Sequence, residues 1–376
     1  MAQRIVVIGA GMAGASIAAE LAAGADVTLI EAEEVAGFHS TGRSAAAYLA
    51  LYGNAAIRAL TRASAAFLRD PPADFADRSP LRSRGVLILA DADHVHAFDA
   101  APYDRLERLT PAEARAMVPP LRADAIAAAR FDPDAADLDV DLLHRGYLKL
   151  ARARGVTTLL ATRVRSATRA GDCWRIETGA QTLEADIIVN AAGAWADEIA
   201  ALFGAARIGL SPRRRTMMLL DPPPGIEIEA WPFVLAVDES VYFKPDAGKI
   251  ALSPADETPV EPGDAQPDEL DMAIGIDRFE RLMDVPVRRI AHSWAGLRSF
   301  APDRTPVVGY DPQVPGLFWF AGQGGYGIQT APAMAWLGAA LALGAPLPPA
   351  LAEAGVDPAT LSPTRFAKPL DSSAQP

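Results

Sequence analysis

The chain has 376 residues, half of them apolar, enough for one large or two medium domains around a sizeable core. Lys and Arg number 35 against 47 Asp and Glu, a net charge of −12 that repels phosphate backbones and excludes nucleic acid as a partner. The single cysteine, Cys173, excludes an intramolecular disulfide, a dithiol redox centre and a zinc ribbon; among the histidines His94 and His96 lie two apart without a third ligand, so no metal site is expected.

Residues 4–8 are a β-branched run, read as a buried strand. Gly9 then begins a turn, so this segment is not a secretory core. Residues 15–23 carry strong helix formers, with Ile17 and Leu21 on one face, and Gly24 stops the helix. Residues 26–30 form a second strand ending at Glu31. Further on, 55–69 reads as a helix, 86–90 as a strand, 110–117 as a helix with a Thr110/Glu113 capping box, and 138–154 as a long helix. Alternating segments at 157–160, 163–168, 174–178 and 182–184 predict an antiparallel meander. Residues 186–189 are again fully apolar. Strands are expected at 217–220, 233–237, 241–244 and 249–252, an acidic, proline-rich loop at 254–267, and a helix at 270–283. A late strand at 317–320 and a late helix at 328–343 follow, and the tail from Lys368 reads as disordered. The longest apolar stretch, 331–343, is too short to span a bilayer, so no transmembrane segment is expected and the default location is the cytoplasm.

The fully apolar strands near 5, 27, 187 and 318 are far apart in sequence, and half-buried ones lie between them. That pattern predicts an α/β nucleotide domain of Rossmann type, interrupted by α+β insertions. Gly9-Ala10-Gly11-Met12-Ala13-Gly14 is G-x-G-x-x-G between a strand and a helix, with Glu31 closing the next strand. Gly9 permits the turn, Gly11 lets backbone approach a pyrophosphate, Gly14 lets helix and strand pack, and Glu31 accepts from a ribose hydroxyl. Alone, this fingerprint does not separate FAD from NAD. A second strand-and-turn at 187–195 and a glycine turn at 322–327 before a helix favour FAD, because a helix N-terminus there can face the flavin pyrimidine.

Five stretches, His39–Ala46, Val189–Trp195, Lys244–Gly248, Trp294–Phe300 and Gln323–Thr330, resemble the FAD-dependent D-amino-acid oxidase/dehydrogenase (DAO) superfamily, and within it the bacterial D-arginine dehydrogenase branch. The likeness covers nearly the whole chain. It implies a glutathione-reductase-like fold with a discontinuous FAD-binding domain (1–80, 140–205 and 290–365), an interleaved substrate-binding domain (81–139 and 206–289) and a flexible tail (366–376). It implies non-covalent FAD held by Gly9, Gly11, Met12, Ala13, Gly14, Glu31, Arg43, Ser44, Ala45, Val164, Gly193, Trp195, Gly324, Tyr326, Gly327 and Ile328. It places Arg215 and Arg298 on the substrate carboxylate, Tyr242 and Tyr52 over the substrate with Tyr52 on a mobile lid, and Gly325 and Gln329 in the lining of the substrate pocket beside the flavin. Without the resemblance, Arg213-Arg214-Arg215 reads first as a solvated basic cluster, and Arg298 can be read as a salt-bridged residue at the edge of the core.

The departures bear on substrate. An acidic residue that pairs with the substrate guanidinium in that branch aligns with Gly85, a pocket histidine with Ala47 and a threonine with Leu49. Phe233 and Leu235 stand at wall positions, and Glu239 remains as an acidic contact at the mouth. The resemblance therefore implies oxidative deamination of D-amino acids to 2-oxo acids and ammonia, by hydride transfer from Cα to flavin N5, favouring hydrophobic over cationic side chains. The electrons would pass to a quinone, a carrier or dioxygen. A glycine or sarcosine oxidase-like secondary-amine oxidase and a 2-hydroxy-acid dehydrogenase are the alternatives on the same scaffold. The paired arginines and tyrosines argue against a flavin-binding protein without turnover.

Overall fold

A computed structural model describes residues 2–101, 103 and 106–366; the expected tail, beyond Phe366, lies outside the described residues. The four fully apolar strands are neighbours in one six-stranded sheet, in the order Val307–Tyr310, Leu317–Ala321, Ile187–Asn190, Arg4–Ile8, Asp26–Ile30, Thr157–Leu159. All pairings are parallel except that of the first two strands. Strands covered on both faces need apolar residues throughout, which is why they stand out as unbroken hydrophobic runs. Helices Met12–Leu21, Val140–Ala153 and Ala331–Leu343 pack together over this sheet. Ala331–Leu343 is buried on almost every side and accordingly carries no polar face. Among the described residues no helix is long and apolar enough to cross a membrane.

The expected meander is shorter than the sequence suggested. Thr157–Leu159 joins the parallel sheet beside Asp26–Ile30, leaving Ser166–Ala170, Cys173–Glu177 and Thr182–Ala185 as a three-stranded antiparallel sheet. The late helix begins at Ala331 rather than 328, because Gln323–Thr330 remains in turns and Pro332 suits the helix's first turn.

The second large sheet has eight strands in the order Ile290–Phe300, Ser211–Leu220, Lys249–Ser253, Tyr242–Asp246, Phe233–Ala236, Val86–Ala90, Ala128–Asp132, Glu107–Leu109. Ser211–Leu220 starts six residues before the expected strand, and Ile290–Phe300, assigned from sequence to the nucleotide segments, pairs with it along its length. Alternation gives this sheet two different faces. One carries Met218, Leu220, Phe243, Ile250 and Leu252 against Phe279 of helix Glu269–Leu282. The other presents Met217, Phe233, Leu235 and Tyr242 toward the nucleotide domain.

A buried ionic knot ties this sheet to the small sheet Ala47–Tyr48, Ala136–Leu138, Leu81–Ser83. Asp137 accepts from Lys244 Nζ at 2.8 Å and is also bonded by Arg84 Nε. Burial pushes the Asp137 carboxyl upward, but the Lys244 and Arg84 charges outweigh it and hold its pKa below the ordinary 3.8. Its contribution is therefore full at neutral pH and is lost as pH falls through that range. Asp137→Ala should lower unfolding stability by about 3 kcal/mol or more, because it strands a buried lysine. Urea melts at neutral pH and again near pH 3 check this: the gap between wild type and variant should narrow in acid.

Candidate active site

One continuous cavity runs from the glycine turn to the arginine-bearing face of the eight-stranded sheet. At its first end, Gly9 sits at φ +102, where a Cβ would stand 2.6 Å from the Ala191 carbonyl oxygen. A Cβ on Gly14 would fall 1.7 Å from the Gly9 oxygen, so Gly14 packs helix against strand and does not itself line the cavity. The Ala10 peptide is clamped from both sides. Its N–H donates to Glu31 Oε2 at 2.7 Å, and its carbonyl accepts from His144 Nε2 at 2.9 Å. Glu31 Oε1 takes a further N–H, from Glu33, at 3.0 Å. Burial holds the His144 pKa below its usual 6.5, which keeps the ring neutral at pH 7. Met12 N–H donates to Thr41 Oγ1 at 2.9 Å. His144 and Thr41 were not expected as site residues; a lone histidine on a buried helix face carries no sequence signal of its partner.

Gly11, Met12, Ala13 and Glu31 all line this end. A side-chain-free cradle, the N-terminus of a 10-residue helix and a fixed carboxylate at the strand end fit the pyrophosphate and ribose of FAD. Ser44, Ala45, Val164, Gly193 and Trp195 continue the walls, and Gly324, Gly327 and Ile328 close the far side. Cys173 lies outside the lining, on the three-stranded sheet with Arg4 Nη2 3.2 Å from its sulfur.

Two residues expected on the cofactor are engaged elsewhere. Arg43 borders the cavity, but its guanidinium donates to the Ala265 and Ala295 carbonyls at 3.0 and 3.1 Å and pairs with Asp264, so it pins the 264–265 loop to strand Ile290–Phe300. Tyr326 does not line the cavity; its ring packs with Ile57, Phe300 and Tyr52 behind the turn.

At the other end, register builds the site. Arg213 pairs with Arg298 and Arg215 with Gly296 between the edge strand Ile290–Phe300 and its neighbour Ser211–Leu220, so all three arginines share one face of the sheet. Arg214 points to the opposite face and pairs with Asp271 at 2.7 Å. The arginine triplet is thus divided by strand alternation rather than solvated as a cluster. Arg215 and Arg298 both line the cavity, but they are held differently. Arg215 donates Nε to the Asp256 carbonyl at 2.9 Å and Nη2 to Glu257 at 3.1 Å. Among the described residues no carboxylate forms an ion pair with Arg298. The Gly325 backbone lies so close that a Cβ there would be 2.8 Å from Arg298 Nη1. Burial works against the Arg298 charge, but Tyr242 and Tyr52 outweigh it and the guanidinium stays protonated.

Met217, Phe233, Leu235, Leu49 and the Tyr242 ring make the adjoining wall apolar. Burial acts to raise the Tyr242 pKa, but the positive charges of Arg298 and Arg215 bring it below 10. Tyr52 also lines the cavity, and its hydroxyl donates to Glu239 Oε2 at 3.1 Å. Burial raises the Tyr52 hydroxyl pKa well above the ordinary value. Glu239 itself lies outside this cavity and lines a second, smaller one. Gln329 borders the main cavity with its amide already used: it accepts from Leu49 N–H at 3.0 Å and donates to Thr61 Oγ1 at 2.9 Å, fixing the base of the Tyr52 loop. Gly85 does not line the cavity; its carbonyl accepts from the Phe233 N–H at 3.0 Å, and a side chain there would meet the Phe131 ring at 2.5 Å. The acids that do line the main cavity, Glu31, Glu33 and Glu198, belong to the dinucleotide half, beside Ala10, His39 and Trp195.

Gly11→Val should fill the cradle while leaving the fold intact, since Gly11 has an ordinary φ of −71° and the nearest atom to a new Cβ is the Thr41 hydroxyl. The expected outcome is a purified protein with little or no flavin absorbance and an unchanged far-ultraviolet circular dichroism spectrum.

Comparison with known proteins agrees with this geometry. The family model described as FAD dependent oxidoreductase (DAO) matches residues 4–341. Glycine oxidase of Bacillus licheniformis is 27% identical over 91% of this chain and 93% of that protein. The bovine FAD-dependent oxidoreductase domain-containing protein 1 is 28% identical over 41% of this chain, and the match spans only 35% of that protein's length. The crystal structure of glycine oxidase from Geobacillus kaustophilus superposes with a TM-score of 0.83 at 22% identity, covering 97% of this chain and 100% of that one, a likeness of fold. With a family match over nearly its whole length and a cavity shaped for the dinucleotide, the chain belongs to the DAO family of FAD-dependent oxidoreductases.

Proposed function

We propose that the chain oxidatively deaminates neutral D-amino acids with apolar side chains, releasing the 2-oxo acid and ammonia. The observation that carries this reading is the Arg298 guanidinium. It faces the cavity with no carboxylate partner among the described residues, beside a wall made of Met217, Phe233 and Leu235. A partly desolvated cation without a partner calls for an anionic ligand, and a guanidinium fork matches a carboxylate. Arg298 and the free Nη1 edge of Arg215 hold that carboxylate, Tyr242 and Tyr52 close over the substrate, and the apolar wall takes its side chain.

When bound, FAD supplies the two-electron acceptor for the substrate Cα–H bond. The protein's part is position and field. The amine enters neutral, and the imino acid that leaves hydrolyses in water. An acceptor such as a quinone, a carrier or dioxygen takes the electrons onward. The D configuration rests on the sequence likeness in His39–Ala46 and Trp294–Phe300. The match to a glycine oxidase over nearly the full length of both chains favours one second reading, oxidation of glycine or a secondary amine.

Arg298→Met should raise KM for amino acids about a hundredfold, the loss of paired charge-assisted hydrogen bonds, with FAD content unchanged. An unaltered KM contradicts the assignment. In wild type, D-leucine or D-methionine should exceed D-arginine in kcat/KM by about tenfold or more, because among the described residues no acid lines this end of the cavity to pair a second guanidinium. A preference for D-arginine, or for sarcosine, overturns the proposed side-chain class.

A further inference from the structure

We propose that Glu257 sets the charge of the carboxylate site, so that it selects a monocarboxylate over a dicarboxylate. This rests on the reading of Arg298 and Arg215 as the carboxylate grip, and it explains why one of two similar arginines is already paired.

Glu257 follows strand Lys249–Ser253, in the acidic loop beneath the arginine face. Arg304 grips both of its oxygens in a fork, Nη1 to Oε2 and Nη2 to Oε1, each at 2.9 Å. Arg215 Nη2 donates to the same Oε1 at 3.1 Å, and Arg213 Nη1 stands 3.9 Å from Oε2. Held by a bidentate partner, the carboxylate cannot swing away when an anion arrives. Burial acts to raise the Glu257 pKa, but Arg304 and the neighbouring guanidiniums outweigh it, so the group is ionised at neutral pH. Arg215 is the shared wall: it lines the main cavity on one side and, with Glu257 and Arg304, the smaller cavity on the other.

The charge balance follows. Arg215 and Arg298 together, with no acid lining their end of the main cavity, would offer two positive charges and suit a dianion. Glu257, shared with Arg304, offsets part of the Arg215 charge from behind, which leaves Arg298 as the guanidinium at this end with no ion-pair partner among the described residues, and that suits one carboxylate. A second carboxylate on the ligand would then face the apolar wall of Met217, Phe233, Leu235 and Leu49, and would lose hydration without gaining a further cation.

The test is calorimetric titration of the FAD-loaded full chain with propionate and with succinate, neither of which carries an amine to be oxidised. Glu257→Gln keeps the shape and removes the charge. It should raise the succinate-to-propionate affinity ratio about tenfold, the scale of one added charge at such distances in a partly buried site. Glu257→Asp should keep the wild-type preference. Arg304→Gln, which frees Glu257 to turn wholly onto Arg215, should move the ratio the other way, and it carries the test should Glu257→Gln fail to fold. Opposite shifts in the two variants would not follow from a structural role alone. If wild type binds propionate and the ratio is unchanged in Glu257→Gln, or is unchanged or raised in Arg304→Gln, the role given to Glu257 is wrong while the carboxylate site stands. If wild type binds neither acid, both readings fall.

Discussion

The arrangement depends on one unbalanced charge. Among the described residues no carboxylate pairs with Arg298 in the cavity, and an unmatched guanidinium shielded from water is costly unless a ligand completes it. The surrounding structure keeps it there. Pairing of strands Ser211–Leu220 and Ile290–Phe300 fixes which face it occupies, and the bare backbone of Gly325 lies against the guanidinium. The neighbouring Arg214, on the other face, is neutralised by Asp271, and Arg215 by Glu257. Strand alternation thus sends Arg214 to Asp271 and leaves Arg213 and Arg215 to share Glu257 on the other face.

The same cavity is built from different groups at its other end. There the useful groups are backbone: the helix N-terminus at Met12, and the Ala10 peptide held between Glu31 and His144. A cofactor cradle built of main chain needs rigid support more than side-chain charge, and the clamp on Ala10 provides it. The two ends are joined because the parallel sheet supplies the first and the cavity-lining face of the eight-stranded sheet supplies the second. FAD, if bound along this length, would be held by the nucleotide fold on one side and face the substrate wall on the other.

Much of the nucleotide half was legible in the sequence because its signals are local. Residues 4–31 contain a strand, a glycine turn, a helix and an acid in consecutive order, and the buried parallel strands are unbroken apolar runs. The substrate half was harder to read. The Ile290–Phe300 strand mixes His292, Ser293, Trp294 and Arg298 and lacks a simple apolar alternation, since part of its face borders a cavity rather than a core. Arg213–Arg215 looked like a solvated cluster for the same reason. Glu257 lies in a segment read correctly as a loop, but its three guanidinium partners come from positions 213, 215 and 304, which no local pattern connects. Gln329 and Tyr326 were placed near the flavin by resemblance; only tertiary contacts show the Gln329 amide tied to Leu49 and Thr61 and the Tyr326 ring turned toward Phe300.

The most direct test of the central claim is anaerobic mixing of the FAD-loaded protein with matched enantiomers of a neutral amino acid, followed by the flavin absorbance. The account predicts that the D enantiomer bleaches the flavin band in a concentration-dependent, saturable manner, with the 2-oxo acid appearing in step. A flavin that stays oxidised with every amino acid offered, or that is bleached by the L enantiomer alone, would contradict it.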